Sequence, residues 1–175
     1  MNNHPLENIK QAGIKSGSIV IDFGAGLGEY TNEVSKVIGE NGKVYALDIQ
    51  KDLVQSLKER MREKGRENAV FIWGNLEKER STGMEANCAD FVIMANVLFQ
   101  INNKDIAIKE AKRVLKQGGI LLFIDWLDSF DGLGPSPDMI IKEEDVRDWV
   151  SNADFIIVRP IKTGEHHFGF IAEKK

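Results

Sequence analysis

The chain has 175 residues, of which 42% are hydrophobic and 29% are charged. This size and composition are typical of one compact globular domain, so we expect residues 1–175 to form a single domain and exclude disordered and fibrous classes. Because 23 Lys and Arg residues accompany 27 Asp and Glu residues, the formal net charge is −4, which argues against nucleic acid as a partner.

Cysteine usage and hydropathy point to the compartment. Cys88 is the one cysteine, so it has no partner for an internal disulfide, and no Cys or His spacing predicts a metal site. The N-terminus lacks a basic stretch followed by an apolar run, and no uncharged run approaches membrane-spanning length. We therefore expect a cytoplasmic protein with no membrane partner and no metal. The oligomeric state is left open.

Short apolar runs alternate with helical patterns from about residue 18 onward, which predicts a parallel, doubly wound sheet flanked by helices. Residues 1–17 form a short N-terminal cap with one brief helix. The predicted strands span residues 18–23, 44–47, 69–73, 91–95 and 120–124. Apolar stripes at helical spacing connect them, and the last stripe, at 104–116, is expected to end at Gly118-Gly119.

The C-terminal part has a different character. Residues 126–141 are rich in Gly and Pro and predict a loop over the active site, which a short helix at 143–150 follows. The runs at 155–159 and 168–172 predict two strands that pair antiparallel. Any lid over the site must therefore be small or come from the 126–141 loop.

Three glycines follow the first predicted strand in the segment VIDFGAGLG, residues 20–28. In an open parallel sheet the ligand crevice lies at the carboxyl ends of the strands, where the strand order reverses. Gly24, Gly26 and Gly28 would allow a tight turn and a close approach of backbone to a ligand. This loop predicts a site for a nucleotide-like cofactor, although glycines after a strand also form plain turns.

The spacing of the glycines favours one cofactor over another. The dinucleotide fingerprint is G-x-G-x-x-G, and here Glu29 stands where its third glycine belongs, so a carboxylate would face a pyrophosphate. S-adenosyl-L-methionine carries no phosphate, and Asp22 could attract its ammonium group. An NAD-dependent reductase is therefore the weakest alternative.

Other strand ends supply candidate cofactor contacts. Asp48 ends the second strand, where a carboxylate can accept hydrogen bonds from ribose hydroxyls, although a lone Asp here is more often a solvated cap. Asn75 follows the third strand and would lie beside the adenine, with Leu76 and Ile49 as apolar walls. Asn96 follows the fourth strand, near the methionine part of the cofactor.

Residues 20–28 resemble the first motif of class I S-adenosylmethionine-dependent methyltransferases, and the order of later segments is similar over nearly the whole chain. Among these the chain resembles the quinone-biosynthesis type and related small-molecule enzymes. The resemblance implies a Rossmann-like α/β fold in three layers, with a seven-stranded, mostly parallel sheet whose last strand is antiparallel. It also implies that Gly24, Gly26 and Gly28 line the cofactor, that Asp48 contacts its ribose and Asn75 its adenine, and that Asn96 lies at its methionine end. Together with Asp22, Ala25, Ile49 and Leu76, these are the predicted cofactor-binding residues. Asn75 replaces the commoner Asp.

The same resemblance narrows the acceptor. Methyltransferases of this fold that act on amino groups of adenine or glutamine carry an Asn-Pro-Pro-Tyr-like motif after the fourth strand, whereas this chain has NVLF at 96–99. Arsenic methyltransferases use several cysteines, whereas Cys88 stands alone. The expected acceptor is a small molecule with an O or C nucleophile.

Methyl transfer needs few catalytic groups, because the enzyme mainly aligns the nucleophile and removes a proton if one must leave. Asp125, after the fifth strand, and His167, before the last, are the candidates. His167-Phe168-Gly169 resembles a His-aromatic-Gly element of related small methyltransferases, which favours His167 over its neighbour His166. A solvated hairpin is the alternative for both histidines.

Two further functions stay open at this stage. One is a methyltransferase that acts on protein or RNA, since a docking surface need not show in the composition. The other is a non-catalytic subunit that binds S-adenosylmethionine, which the small size of the lid suggests.

Overall fold

The computed structural model describes residues 4–130, 132 and 134–175. Residues 1–3 of the predicted N-terminal cap, and residues 131 and 133 of the predicted 126–141 loop, lie outside the described part. The strands are β1 (Ile19–Phe23), β2 (Lys43–Asp48), β3 (Ala69–Trp73), β4 (Ala89–Ala95), β5 (Leu115–Trp126), β6 (Phe155–Pro160) and β7 (His167–Lys174). The helices are α1 (Pro5–Ala12), α2 (Glu29–Ile38), α3 (Lys51–Glu63), α4 (Lys104–Val114) and α5 (Glu143–Asn152).

The seven strands form one sheet in the order β3-β2-β1-β4-β5-β7-β6. β1 to β5 pair in parallel, and β7 lies antiparallel to both β5 and β6. The predicted α/β fold, with a seven-stranded sheet and an antiparallel last strand, is therefore confirmed. The strand order reverses between β1 and β4, so the loops after these two strands meet at the place where open α/β sheets bind ligands.

Helices cover both faces of the sheet, which gives the three predicted layers. The apolar stripes of α4 and α5 pack in the larger core on one face, which contains Phe123, Phe168 and Phe170. The stripes of α1 and α2 pack on the other face, against alternate residues of the same strands such as Leu122 and Ile124. In the part of the chain that the structure describes, no helix combines the length and apolarity needed to span a bilayer.

The fifth strand is longer than predicted, and the helix before it is shorter. α4 ends at Val114 instead of residue 116, because Leu115 is fully buried and pairs with Ala89 of β4. Gly118 and Gly119 therefore do not end the helix but lie inside β5. Gly118 has a φ of +73°, so the turn that these glycines predict is present as an irregularity of the strand.

Candidate functional site

A cavity of about 410 Å³ opens at the carboxyl ends of β1 to β4, on the switch point of the sheet. A volume of this size is typical of pockets that hold a small ligand or cofactor. The ends of these strands and the segments that follow them build its wall: residues 24–27 and 29–30, 47–50, 74–77, 95–97 and 100–101, together with Asp22 and Leu53. The predicted crevice thus lies where the topology places it.

The glycine loop after β1 is held close to β2. The amides of Gly24 and Ala25 both donate to the Leu47 carbonyl oxygen, over 2.8 and 2.9 Å. Gly24 has a φ of +71°, and a Cβ atom there would lie 2.9 Å from Cβ of Val97 and overlap that side chain. The loop therefore requires glycine at this position, both for its backbone conformation and for its close approach to the loop after β4.

Gly28 departs from the prediction, because it does not line the cavity. It precedes the first residue of α2 with a φ of +78°, and a Cβ atom there would lie only 3.1 Å from Leu57 Cδ2 of α3. Gly28 lets α2 begin and lets α3 pack against the loop. The other nine residues predicted to bind the cofactor all line the cavity.

Asp48 links the glycine loop to the loop after β2. One carboxylate oxygen accepts the Gly26 N–H and the other accepts the Gln50 N–H, each over 2.9 Å. An ionised carboxylate has about four lone-pair positions, so about two stay available for hydroxyl groups of a ligand. This geometry suits the ribose contact predicted for Asp48.

Asp22 is almost fully buried in the floor of the cavity, where it accepts a hydrogen bond of 2.6 Å from the Thr31 hydroxyl. Burial raises the pKa of Asp22 to about 6, and the Thr31 bonds oppose that rise. At neutral pH the carboxylate is mostly ionised, so it presents a negative charge to the cavity.

The charge of the lining distinguishes between cofactors. Asp22, Glu29, Asp48 and Glu77 line the cavity, whereas the described lining contains no Lys, Arg or His. Four carboxylates would repel a pyrophosphate and attract a cation. S-adenosylmethionine has a cationic sulfur and an ammonium group, so the lining fits it and disfavours a dinucleotide.

Two asparagines complete the predicted set. Asn75 Oδ1 accepts the Glu77 N–H over 2.9 Å, so the carbonyl that we expected beside the adenine also holds its own loop. Asn96 has a φ of 55°, and its Oδ1 is buried without a hydrogen-bond partner among the described residues. A buried acceptor left unpaired costs free energy, and a ligand ammonium in the cavity would satisfy it.

The segment after β4 is the part of the wall that sequence reasoning missed. We call residues 97–103 the wall segment; Val97, Gln100 and Ile101 of this segment line the cavity. It contains one 3₁₀ turn, Leu98–Gln100, and leads into α4. From the sequence, the NVLF stretch at 96–99 served only to argue against an amino-group acceptor, because the apolar residues of this segment also fit ordinary core packing.

An exposed indole, that of Trp73, is bonded to a residue of the cavity wall. The Trp73 side chain is 64% exposed, and its Nε1–H donates to the Ile49 carbonyl oxygen over 2.9 Å. The Lys51 ammonium lies 5.5 Å from the centre of the same ring. Trp73 is thereby fixed beside a residue that lines the cavity.

Neither residue predicted to act in catalysis lines the cavity. Asp125 has no exposed surface, and its carboxylate accepts the backbone N–H groups of Trp126, over 2.9 Å, and Phe99, over 3.3 Å. Burial raises the pKa of Asp125 to about 7, and these hydrogen bonds oppose the rise. Asp125 is thus engaged with backbone rather than directed at a ligand.

His167 is also buried, and its ring packs on Trp126 with 4.2 Å between ring centres. Its Nε2 atom has no hydrogen-bond partner among the described residues. Burial lowers the pKa of His167, so the ring is neutral at physiological pH.

The histidine that contacts a carboxylate is His166, the residue before His167. His166 Nδ1 lies 2.6 Å from an Asp128 carboxylate oxygen, and its ring stacks on Phe130 at 4.3 Å. His166 lies just before β7 and Asp128 just after β5, on the edge of the sheet that holds the cavity. Sequence spacing does not reveal this pair, because it forms across two strands.

Comparison with known proteins places this chain in a family. A family model described as a methyltransferase domain matches residues 14–154. A crystal structure of a SAM-dependent methyltransferase from Aquifex aeolicus superposes with a TM-score of 0.90 and 30% identity, over 99% of this chain and 91% of that one.

Two bacterial relatives are ubiquinone/menaquinone biosynthesis C-methyltransferases. The protein from Shewanella pealeana is 34% identical over 119 residues, which are 67% of this chain and 46% of the relative. The protein from Hahella chejuensis is 31% identical over the same length, with 67% and 47% covered. The chain thus spans about half the length of these relatives. The predicted family and its cofactor, S-adenosyl-L-methionine, are confirmed: the chain belongs to the class I S-adenosylmethionine-dependent methyltransferases.

Proposed function

We propose that this protein transfers a methyl group from S-adenosylmethionine to a small molecule, at an O or C nucleophile. One observation carries the proposal: four carboxylates and a glycine loop with positive φ angles line one cavity at the switch point, without a basic side chain among the described lining residues. Of the two nucleophiles, carbon is favoured over oxygen, because the quinone-biosynthesis relatives are named C-methyltransferases.

The residues of this chain would hold the cofactor by its polar ends. Asp48 would accept the ribose hydroxyls, Asn75 would contact the adenine between Ile49 and Leu76, and Asn96 would accept from the ammonium group. When bound, S-adenosylmethionine supplies a methyl group on a cationic sulfur, which a nucleophile takes by direct displacement. The protein's remaining tasks are to align that nucleophile and to exclude water.

The acceptor would lie toward the end of β5 and the start of β7, beyond Asn96. An acceptor hydroxyl or carbon acid must lose a proton, and an imidazole held by a carboxylate is a suitable base at neutral pH. His166 with Asp128 has this arrangement, and its side chain is 30% exposed. We therefore favour His166 as the base and keep His167, the residue predicted from sequence, as the alternative.

We also propose that the acceptor is a metabolite and that the protein works in the cytoplasm. The acidic net charge of −4 supports a metabolite over a nucleic acid. Cys88 carries a free thiol, which is typical of proteins in a reducing compartment such as the cytoplasm.

Calorimetry with S-adenosylhomocysteine tests the first half of the proposal. We expect saturable binding with one site per chain; no heat of binding at millimolar ligand would contradict it. The second half is tested with S-adenosylmethionine labelled at its methyl group, incubated with small-molecule, protein and RNA fractions of a cell extract. Label in the small-molecule fraction supports the proposal, whereas label confined to RNA or protein assigns a macromolecular acceptor.

A further inference from the structure

The wall segment, residues 97–103, is held at its two ends by carboxylates from other parts of the chain. Near its start, Asp125 of β5 accepts the Phe99 N–H over 3.3 Å, and the Leu98 N–H faces the same carboxylate. At its end, Glu77 accepts the Asn102 N–H over 2.7 Å and the Asn103 N–H over 3.4 Å. Each carboxylate thus fixes backbone that adjoins the cavity.

The segment depends on these outside acceptors because it forms few bonds of its own. Its 3₁₀ turn contributes the bonds from Gln100 N–H to the Val97 oxygen and from Ile101 N–H to the Leu98 oxygen, both 3.1 Å. The first N–H groups of any helical turn have no acceptor inside that turn. Asp125 supplies the acceptor for the Phe99 N–H. Because Val97 and Gln100 are close to Phe99 in the chain, this bond also positions these two residues of the cavity wall.

The two carboxylates differ in their surroundings. Asp125 has no exposed surface, and burial raises its pKa to about 7, against the hydrogen bonds from Trp126, Phe99 and Leu98. The N–H groups of Asn102 and Asn103 instead lower the pKa of the solvated Glu77. The positive charge of Lys104, at the start of α4, lowers the pKa of both carboxyl groups.

We propose that Asp125 is a positioning residue for the cofactor cavity: its ionised carboxylate fixes the wall segment, so cofactor affinity follows the protonation state of Asp125. Glu77 holds the other end of the segment throughout the neutral range. The inference rests on the proposed function, because it takes the cavity as the site of the cofactor.

Protonation changes what Asp125 can do for the backbone. A protonated carboxyl group has one hydroxyl donor and loses acceptor capacity, so it no longer serves the N–H groups of Trp126 and Phe99 equally well. The wall segment then loses part of its anchor while the rest of the fold stays intact. Affinity should therefore fall as the pH drops below about 7.

The test is calorimetry with S-adenosylhomocysteine between about pH 6.5 and pH 8.5, above the pKa of Asp22, which also lines the cavity. Asp125→Asn keeps one acceptor oxygen and cannot ionise. At the high end of the range we expect it to bind roughly tenfold more weakly than the unchanged protein, the factor for one weakened bond to a charged acceptor. The affinity of Asp125→Asn for S-adenosylhomocysteine should not change with pH, whereas that of the unchanged protein should fall as the pH drops.

Two matched variants separate positioning from general loosening. Glu77→Gln should weaken binding at every pH and keep the pH profile of the unchanged protein. Asp148→Asn, at an exposed position of α5, should leave both affinity and profile unchanged. A profile in Asp125→Asn that parallels the unchanged protein would overturn the proposal.

A second measurement does not need the cofactor. Amide hydrogen exchange at Leu98 and Phe99, corrected for the intrinsic pH effect, should speed up in Asp125→Asn more than exchange in the centre of β4. Unchanged protection at these two amides would also overturn the proposal. If the unchanged protein binds no S-adenosylhomocysteine at any pH, the proposed function fails, and the exchange data alone decide whether Asp125 positions the segment.

Discussion

Asp125 and His167 lie on paired strands, yet their side chains project from opposite faces of the sheet. Asp125 pairs with Phe168, whereas His167 pairs with Trp126, and neighbouring residues of a strand alternate between faces. Asp125 points to the side of the wall segment, and His167 packs on Trp126 on the other side. The two residues therefore cannot act as an acid–base pair on one substrate.

Substitution of the two neighbouring histidines will show which of them takes part in catalysis. We expect His166→Gln to lower kcat by about 10²- to 10⁴-fold, the usual range for loss of a general base, with little change in S-adenosylhomocysteine affinity. His167→Phe should keep activity and thermal stability, because it preserves the stacking on Trp126 and removes a buried nitrogen that has no partner. Steady-state kinetics and thermal unfolding measure both effects. The reverse pattern would assign the base to His167.

Alanine at Gly24 should damage the site more than alanine at Gly26. Both glycines have a positive φ, which costs an L-residue about 1–2 kcal/mol. At Gly24 the new Cβ would also overlap Val97, whereas at Gly26 the nearest atom outside its chain neighbours lies 3.9 Å away. We expect Gly24→Ala to lose more than tenfold in S-adenosylhomocysteine affinity, and Gly26→Ala to lose less.

Gly65→Ala is the matched control for the backbone cost alone. Gly65 has a φ of +67° and open space around it, and it does not line the cavity. Urea unfolding should show a similar small loss of stability in Gly65→Ala and Gly26→Ala, and Gly65→Ala should bind normally. Equal affinities for the Gly24 and Gly26 variants would mean that the contact with Val97 does not shape the site.

Asp48→Asn should weaken cofactor binding at least tenfold. The carboxylate of Asp48 already serves the Gly26 and Gln50 amides, and an amide side chain has a single acceptor oxygen. The single oxygen could then accept from the ribose hydroxyls only at the expense of its bonds to the glycine loop and to Gln50. Calorimetry measures the loss, with Asp52→Asn at an exposed position of α3 as the control. An unchanged affinity would remove Asp48 from the binding site.

Stability should depend on pH through the two buried carboxyls. The folded-state pKa values of Asp22 and Asp125 rise from 3.8 to about 6 and about 7. A raised pKa means that the fold prefers the protonated form, so this contribution to stability is present below about pH 4 and is lost as the pH rises through 6 and 7. One pKa unit corresponds to about 1.4 kcal/mol, so the two rises together correspond to an effect on the order of 7 kcal/mol.

Comparison of variants isolates these two groups from all other carboxylates. Urea unfolding of the cofactor-free protein, followed between about pH 5 and pH 8, should show that Asp22→Asn and Asp125→Asn each gain stability relative to the unchanged protein as the pH rises. Asp148→Asn should show a constant difference. A constant difference for Asp125→Asn as well would mean that its carboxyl titrates in its ordinary range.

The sequence was sufficient for the sheet and for most of the cavity, because both follow from local patterns. Apolar runs identify the strands, and the ends of parallel strands meet at one edge, so Asp48, Asn75 and Asn96 could be placed together from their positions alone. The position of Gly28, outside the cavity lining, could not be foreseen in this way. A glycine fingerprint does not distinguish a residue that faces the ligand from one that faces a helix, such as α3.

The orientation of the side chains near the proposed acceptor could not be predicted from the sequence. Whether Asp125 or His167 faces the acceptor depends on the register of β7 against β5, and a shift of one residue would reverse every face. The bond between His166 and Asp128 also depends on that register. The end of α4 was misjudged because Gly118 and Gly119 predict a turn equally well inside a strand.

The exposed indole of Trp73, beside the cavity wall, gives the protein an optical signal of its own. Trp73 is bonded to the backbone of Ile49, and Ile49 lines the cavity, so a ligand that orders this wall changes the environment of the ring. Trp126 and Trp149, the other two tryptophans, do not line the cavity. Intrinsic fluorescence, with Trp73→Phe as a silent reference, can therefore follow cofactor binding and release in real time, without a label.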